Sequence, residues 1–348
     1  MLTKSLITAC ELGLVPDVLT RLGIRKLLVK RLDQVDLGSV EANEAAAVEL
    51  AREFSKGPIA PAPDKSNEQH YEVSAELYQS MLGSQRKYSS CFWPDGCDSL
   101  DAAESSALQQ TCEHAGIEDG QEILELGCGW GSLTLWLAVN FPAAQITTVS
   151  NSVSQRDYIV SMAREKGVAD RVNVITCDIN DLQIDQTFDR VVSVEMFEHM
   201  RNYPELLKRI STWLKPDGKL FVHVFCHKDL TYEFVDRGEE DWMSRYFFSG
   251  GIMPAADFLG RFNDHLSVEE HWTWAGHHYQ KTCDAWLANM DQNRHKILPV
   301  LEANYGTREA KRWFYRWRMF HMACSELFGF DGGKEWFVSH YRFVKMNP

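Results

Sequence analysis

The stretch from Glu122 to Ser132, EILELGCGWGS, decides the fold. An apolar strand pattern runs into a turn with glycines at 127, 129 and 131, and residues 133–139 then have a helical pattern. Glycine has no Cβ, so the backbone can turn tightly here and approach a ligand closely. The first N–H groups of the helix would face that ligand. The stretch predicts a strand–turn–helix binding motif, with an ordinary turn as the alternative.

The spacing of these glycines narrows the type of ligand. Gly-x-Gly-x-Gly differs from the Gly-x-Gly-x-x-Gly pattern of dinucleotide-binding proteins and from the phosphate loop. It resembles the first motif of class I S-adenosylmethionine-dependent methyltransferases, where the turn passes under the amino-acid end of the cofactor. The remaining sequence must then indicate what accepts the methyl group.

Strand and helix patterns alternate downstream of the glycine turn. Strand patterns lie at 122–126, 145–149, 172–176, 188–194 and 218–225, with a closing strand at 335–345, and helical patterns lie at 132–139, 152–166 and 203–214. Such alternation predicts an α/β fold with a parallel sheet covered by helices on both faces. Ligands of such sheets bind beyond the carboxyl ends of the strands.

The flanking segments are predicted to be mainly helical. Residues 1–56 and 279–327 have helical patterns, and 100–115 reads as a helix capped by Asp98 or Ser99. Three prolines within 57–69 indicate a linker. We therefore expect a helical extension with its linker at 1–69, and a methyltransferase domain at 70–348 that carries a helical cap at about 228–330.

Charge and cysteine content exclude several classes of partner. The 348-residue chain has a formal net charge of −13 at pH 7, which argues against nucleic acid and is compatible with a cationic substrate. Nine cysteines without a Cys-x-x-Cys pair indicate neither a metal site nor a disulfide framework. We predict no signal peptide and no membrane span, and hence a cytoplasmic protein. The sequence leaves the oligomeric state open, with a homodimer as one option.

Polar side chains lie at the ends of the second and third predicted strands. Ser150, Asn151 and Gln155 are the candidates for binding ribose hydroxyls, because no acidic residue follows the second strand. After the third strand, Asp178 could accept a hydrogen bond from an adenine amino group while Ile179 packs on the ring. A turn formed by the Asp178 side chain is the alternative.

The fourth strand ends in the most reactive group of side chains in the chain. If the tip forms a helical turn, Glu195, Glu198 and His199 share one face. Two carboxylates beside an imidazole can accept a proton, because crowding raises a carboxyl pKa. A polar network that closes the strand end is the alternative. His223, within the apolar fifth strand, is equally consistent with a buried core residue.

Several motifs together resemble a known family. From about Tyr71 to Lys345 the chain resembles the cyclopropane-fatty-acid synthase superfamily, and within it the plant benzylisoquinoline alkaloid N-methyltransferases of the coclaurine type. The resemblance rests on KYSSCFW (87–93), ELGCGWGS (125–132), VSVEMFEHM (192–200), RYFFSGGIMPAADF (245–258), HHYQKTCDAW (277–286) and WFVSHYRF (336–343). It implies a Rossmann-like, mostly parallel seven-stranded sheet with N-terminal helices and a helical substrate cap. It also implies S-adenosyl-L-methionine as methyl donor and a small-molecule amine, of isoquinoline type, as acceptor.

The resemblance further implies roles for individual residues. Glu195 and His199 would be tied to catalysis, with Glu198 beside them. The positions that match cofactor contacts are Tyr88, Ser89, Gly127, Gly129, Gly131, Ser150, Asn151, Gln155, Asp178 and Ile179.

One departure from the lipid cyclopropane synthases bears on the chemistry. Those enzymes bind bicarbonate with a cysteine, a glutamate, a histidine and a tyrosine. Glu198, His223 and Tyr279 match, but Ser90 stands at the cysteine position, so we expect no intact bicarbonate site. Ser90, His223, Phe225 and Tyr279 are instead expected to line a substrate pocket. Amine N-methylation is the favoured function; methyl transfer to unsaturated acyl chains and a non-catalytic scaffold are the alternatives.

Overall fold

A seven-stranded sheet forms the centre of the computed structural model, which describes residues 2–61 and 74–346. The strands are β1 (Glu122–Leu126), β2 (Gln145–Ser150), β3 (Val172–Thr176), β4 (Phe188–Val194), β5 (Leu214–His227), β8 (Leu266–Trp274) and β9 (Trp336–Lys345). The strand order is β3-β2-β1-β4-β5-β9-β8. Strands β1 to β5 pair in parallel, whereas β9 runs antiparallel to both β5 and β8. The predicted mostly parallel α/β sheet is therefore confirmed.

Strand β8 was not predicted from the sequence. It lies within 228–330, the segment expected to form a helical cap, and pairs with β9. Most side chains from Ser267 to Thr273 are exposed or half-buried on this edge strand. Without one buried face there is no apolar–polar alternation to read. The cap segment also contains a two-stranded sheet of β6 (Tyr232–Glu233) and β7 (Ile252–Met253).

The helices follow the predicted pattern closely. The predicted helix at 100–115 is confirmed, and the Ser99 hydroxyl caps it by accepting a hydrogen bond from the Ala102 N–H at 3.4 Å. The helices are α1 (Leu2–Glu11), α2 (Asp17–Val35), α3 (Val40–Phe54), α4 (Ala75–Met81), α5 (Leu100–Ala115), α6 (Ser132–Asn140), α7 (Val153–Glu165), α8 (Tyr203–Trp213), α9 (Trp242–Tyr246), α10 (Gly276–Gln292), α11 (Arg294–Tyr305) and α12 (Thr307–Phe328). Among the described residues, none of the helices is long and apolar enough to span a membrane.

The N-terminal helices are tied to the cap by buried polar contacts. The Glu11 carboxylate on α1 accepts hydrogen bonds from Trp242 Nε1 on α9 and from Arg312 Nε on α12, both at 2.9 Å. On α2, Arg21 donates to Glu326 of α12 at 3.0 Å. Buried carboxylates need such partners to remain charged. Helices α1 and α2 therefore form one packed layer with α9 and α12.

The described part of the predicted linker also packs against the sheet. Ile59 and Ala60 are buried, and the Asn180 side chain bonds both the N–H and the C=O of Ala60, at 3.0 and 2.8 Å. The Arg201 N–H donates to the Ile59 carbonyl at 2.8 Å. These bonds hold 59–60 beside the tip of β3. The rest of the predicted linker, and the predicted boundary between 69 and 70, lie outside the described residues.

Candidate active site

The glycine turn lies at the carboxyl end of β1, the central strand of the parallel part of the sheet. Gly127, Gly129 and Gly131 all have positive φ angles, of 79°, 49° and 76°. A Cβ on Gly131 would lie 2.6 Å from Ile159 Cγ1 of α7, so a side chain there would force the Ile159 side chain to move. The turn predicted from the sequence is present, and Gly131 is needed for close packing of α7.

A cavity extends along both sides of this turn, and we call it the glycine-turn cavity. One lobe of about 100 Å³ lies over the tips of β1, β2 and β3, and another of about 60 Å³ lies on the side of residues 86–89. Nine of the ten predicted cofactor residues line it: Tyr88, Ser89, Gly127, Gly129, Ser150, Asn151, Gln155, Asp178 and Ile179. The tenth, Gly131, lines neither lobe.

Unsatisfied polar atoms in this cavity indicate a polar ligand. The Ser150 hydroxyl donates to Gln155 Oε1 at 2.6 Å, but Gln155 Nε2 has no hydrogen-bond partner in the described part of the chain. Within residues 2–61 and 74–346, Trp130 Nε1 and Ser132 Oγ are likewise buried without a partner. Buried polar atoms are normally paired, so these atoms fit a cofactor that carries hydroxyl and carboxylate groups. Asp178 also forms the alternative Asx turn, since Oδ1 accepts from the Asn180 N–H at 2.7 Å.

A second, mainly apolar cavity of about 250 Å³ lies under the cap, and we call it the aromatic cavity. Of the four residues predicted for a substrate pocket, Phe225 and Tyr279 line this cavity, whereas Ser90 and His223 do not. Its outer wall comes from the N-terminal helices, through Ile7, Ile24, Leu27, Leu28 and Arg31. The sequence did not indicate that these residues belong to the site. Their helical apolar spacing was visible, but it does not reveal which surface a helix packs against.

Glu195 and His199 lie where the two cavities meet. Both line the glycine-turn cavity and the aromatic cavity, whereas Glu198 lines only the aromatic one. Glu195 has φ +49°, and the helical turn begins later, as a short 3₁₀ helix from Phe197 to His199. The predicted shared helical face therefore does not form. A left-handed conformation costs a non-glycine residue about 1–2 kcal/mol, yet Glu195, Glu198 and His199 all still line the aromatic cavity.

The Glu195 carboxylate is held by three groups. The Ser90 N–H donates to Oε1 at 3.0 Å, the Tyr279 hydroxyl donates to Oε2 at 2.7 Å, and His223 Nε2 lies 3.3 Å from Oε1. Ser90 and His223 thus support Glu195 from behind instead of lining the aromatic cavity. Lys87, which sequence analysis missed, is buried nearby and donates to Ser89 Oγ and the Ser90 carbonyl, both at 2.6 Å.

Electrostatics separate the two glutamates. Burial raises the pKa of Glu195, whereas the Lys87 charge and the Ser90 and Tyr279 donors oppose that rise. Burial and the Glu195 charge raise the pKa of Glu198 further, and Glu198 Oε2 has no hydrogen-bond partner among the described residues. When environments push two carboxyl pKa values apart, one group keeps the charge and the other the proton. The pKa of Glu195 is therefore raised less than that of Glu198.

Comparison with known proteins agrees with this geometry. The family model for mycolic acid cyclopropane synthetase matches residues 62–331. The chain belongs to this family. (S)-coclaurine N-methyltransferase of Thalictrum flavum subsp. glaucum is 38% identical over 344 residues, covering 98% of this chain and 95% of the relative. Pavine N-methyltransferase of the same plant is 34% identical over 345 residues, covering 98% and 96%.

A solved structure is similar along nearly the whole chain. The crystal structure of coclaurine N-methyltransferase bound to N-methylheliamine and SAH superposes with a TM-score of 0.94, at 36% identity, covering 98% of this chain and 99% of that one. These similarities confirm the predicted kinship with plant alkaloid N-methyltransferases. The protein is an S-adenosylmethionine-dependent N-methyltransferase, and the unsatisfied polar atoms of the glycine-turn cavity fit that cofactor.

Proposed function

We propose that this enzyme methylates a small-molecule amine carried on a flat aromatic ring system, an isoquinoline-type alkaloid. The observation that carries the proposal is the junction of the two cavities. An apolar cavity with rings such as Phe225, Phe248 and Trp286 ends at the Glu195 carboxylate, which also borders the glycine-turn cavity. Aromatic walls suit a flat ring, and a buried carboxylate suits the ammonium attached to it. The names of the similar N-methyltransferases support the same class of acceptor.

We assign the glycine-turn cavity to S-adenosylmethionine. Ser150, Asn151 and Gln155 would bind the ribose, and Asp178 with Ile179 would hold the adenine. Tyr88, Ser89, Gly127 and Gly129 would border the remaining part of the donor. The cofactor supplies a methyl group on a sulfonium, and its transfer requires nitrogen, carbon and sulfur in line. The protein residues therefore act mainly by alignment.

A protonated amine has no lone pair, so the site must remove a proton before transfer. We propose that Glu195 holds the ammonium and that His199, which borders both cavities, takes its proton. Glu198 would orient His199. General-base assistance of this kind contributes about 10²–10⁴-fold to a rate.

Conservative substitutions test these roles. We expect Glu195→Gln and His199→Gln each to lower kcat for tetrahydroisoquinoline by about 10²-fold or more. SAH binding, measured by calorimetry, should change little, because the glycine turn and the β2 and β3 tips remain. Near wild-type turnover in both variants would contradict the assignment.

Methyl transfer to unsaturated acyl chains is the alternative function. It needs a group that quenches a carbocation, and His223 and Tyr279 are engaged by Glu195 instead of being open to an external base. Labelled donor with unsaturated phospholipid vesicles in parallel with an amine panel separates the two functions. Cytoplasmic location and lack of a nucleic-acid partner stay predictions from the sequence, and the oligomeric state stays open, with a homodimer as one option.

A further inference from the structure

Three histidines extend from the back of Glu195 to the opposite side of the sheet. His223 Nε2 lies 3.3 Å from Glu195 Oε1, and His223 Nδ1 lies 2.8 Å from His340 Nε2. His340 Nδ1 in turn lies 2.7 Å from His114 Nδ1. Each imidazole thus uses one ring nitrogen toward Glu195, and in His223 and His340 the other nitrogen points outward. The chain of hydrogen bonds is continuous from the carboxylate to helix α5.

Sheet register explains why these side chains meet. His223 on β5 and His340 on β9 are direct antiparallel partners, and the His223 carbonyl accepts from the Glu195 N–H at 2.9 Å. His114 lies in the last turn of α5, which packs over these strands, and it stacks on Trp272 of β8 at 4.2 Å with an interplanar angle of 5°. Glu195, directly after the end of β4, therefore lies beside His223 on β5, and His223 lies beside His340 on β9.

The two histidines nearer Glu195 are fully buried, whereas the third is not. His223 and His340 are 0% exposed, and the rings of Trp274 and Phe221 pack against His340 at centroid distances of 4.3 and 5.1 Å. His114 is only half-buried. The interior imidazoles are shielded from water, and the outer one reaches the protein surface.

We propose that these three histidines are a proton relay, an inference that rests on the proposed function. The proton taken from the ammonium leaves the ligand-filled site through Glu195, His223, His340 and His114. The amine N–H bond breaks, and the proton, received directly or from His199, forms an O–H bond on Glu195. That O–H then donates to His223 Nε2, His223 Nδ1–H moves to His340 Nε2, and His340 Nδ1–H moves to His114 Nδ1. His114 releases its Nε2 proton to water.

One proton crosses each hydrogen bond, so every histidine is neutral before and after the transfer. At the end Glu195 is a carboxylate again, and all three imidazoles donate toward it. Before the next proton, each imidazole must again carry its hydrogen on the outward nitrogen, which is the turning step that any hydrogen-bonded relay requires. Tautomers here follow from the hydrogen-bond network, since hydrogens are assigned by their partners.

Burial and the charged groups around the three histidines favour neutral imidazoles. Burial, with the Lys87 charge, lowers the pKa of His223 well below its ordinary value. Burial and the neighbouring His223, His114, Lys87 and His271 do the same for His340. For His114, burial and Arg342 lower the pKa against the opposing charge of Glu113. A relay needs imidazoles that can both donate and accept, and neutral rings meet that need.

Acceptor basicity provides the test, because only a protonated amine has a proton to lose. We would compare tetrahydroisoquinoline with its less basic 4,4-difluoro derivative, which is largely neutral at pH 7. His340→Gln keeps a hydrogen-bonding side chain but cannot relay. We expect it to lower kcat at least about tenfold for the basic amine, and to leave methylation of the fluorinated amine within about twofold of wild type. As the pH is raised toward the pKa of tetrahydroisoquinoline, the loss of kcat in His340→Gln for this amine should disappear.

Two further variants complete the test. His114→Ala should show the same selective loss, and imidazole in the buffer should restore it, because this end is half-exposed; His340→Gln should not respond. His271→Gln is the matched control: its ring bonds Ser339 Oγ at 3.1 Å on the neighbouring strand, outside the relay, and both rates should stay unchanged. Equal loss on both amines, or no loss on the basic one, would overturn the relay. A wild-type enzyme that methylates neither amine would instead refute the proposed function.

Discussion

Replacing Tyr279 by Phe should shift the pH dependence of the enzyme. The Tyr279 hydroxyl donates to Glu195 Oε2 at 2.7 Å, while its ring stacks on Phe328 at 4.2 Å. The Tyr279→Phe variant loses the donor and keeps the ring. A hydrogen bond to a charged group is worth about 1.5–3 kcal/mol, and one pKa unit corresponds to about 1.4 kcal/mol. Loss of the donor destabilises the carboxylate, so the pKa of Glu195 should rise by about 1–2 units.

The assay is kcat/KM for tetrahydroisoquinoline measured across the acid limb of the pH profile, which reports the free enzyme. The carboxylate is the active form, so both enzymes lose activity as the pH falls. In the variant this loss should begin at a higher pH than in wild type. Tyr341→Phe is the matched control, since that buried hydroxyl donates to the Ala256 carbonyl at 2.6 Å, away from Glu195. An acid limb that stays in place in Tyr279→Phe, or that shifts equally in both variants, would refute the reasoning.

Three further perturbations test the cavity assignments. Gly131→Ala should lower the free energy of unfolding by about 1–3 kcal/mol, measured in urea, because the new Cβ would lie 2.6 Å from Ile159 Cγ1 and the φ angle is +76°. Asn180→Ala removes both bonds to Ala60, so SAH affinity should fall by about tenfold while kcat for bound substrates changes little; unchanged SAH affinity would mean that 59–60 does not border the cofactor. Leu27→Ala should raise KM for the amine about three- to tenfold with unchanged SAH affinity, and the reverse pattern would contradict the aromatic cavity as the acceptor site.

Most of the residues that line the glycine-turn cavity were predictable from the sequence. Gly127, Gly129 and Gly131 stand within one short turn, and the residues that follow β2 and β3 are adjacent in the sequence to the strands that position them. Parallel strands place their carboxyl ends at one edge of the sheet. Local order along the chain therefore determines which side chains meet there.

The aromatic cavity and the surroundings of Glu195 were only partly predictable. The sequence showed the reactive side chains Glu195, Glu198 and His199. It did not show that the backbone of Glu195 is left-handed and that Glu195 therefore lies outside the helical turn. The contribution of Leu27 and Leu28 depends on how α2 packs on the cap. Amphipathic spacing shows that a helix has an apolar face, but not which partner covers it.

The sequence by itself determined the α/β sheet and the glycine turn, because these depend on periodicity and on residues close together in the chain. The kind of reaction followed from the resemblance of its motifs to a known family. Only the tertiary structure decided what surrounds Glu195. Ser90, His223 and Tyr279 come from three distant segments, and His340 and His114 join them only because β5, β9 and α5 are neighbours. The register of antiparallel strands pairs residues more than a hundred positions apart, and no local pattern encodes that pairing.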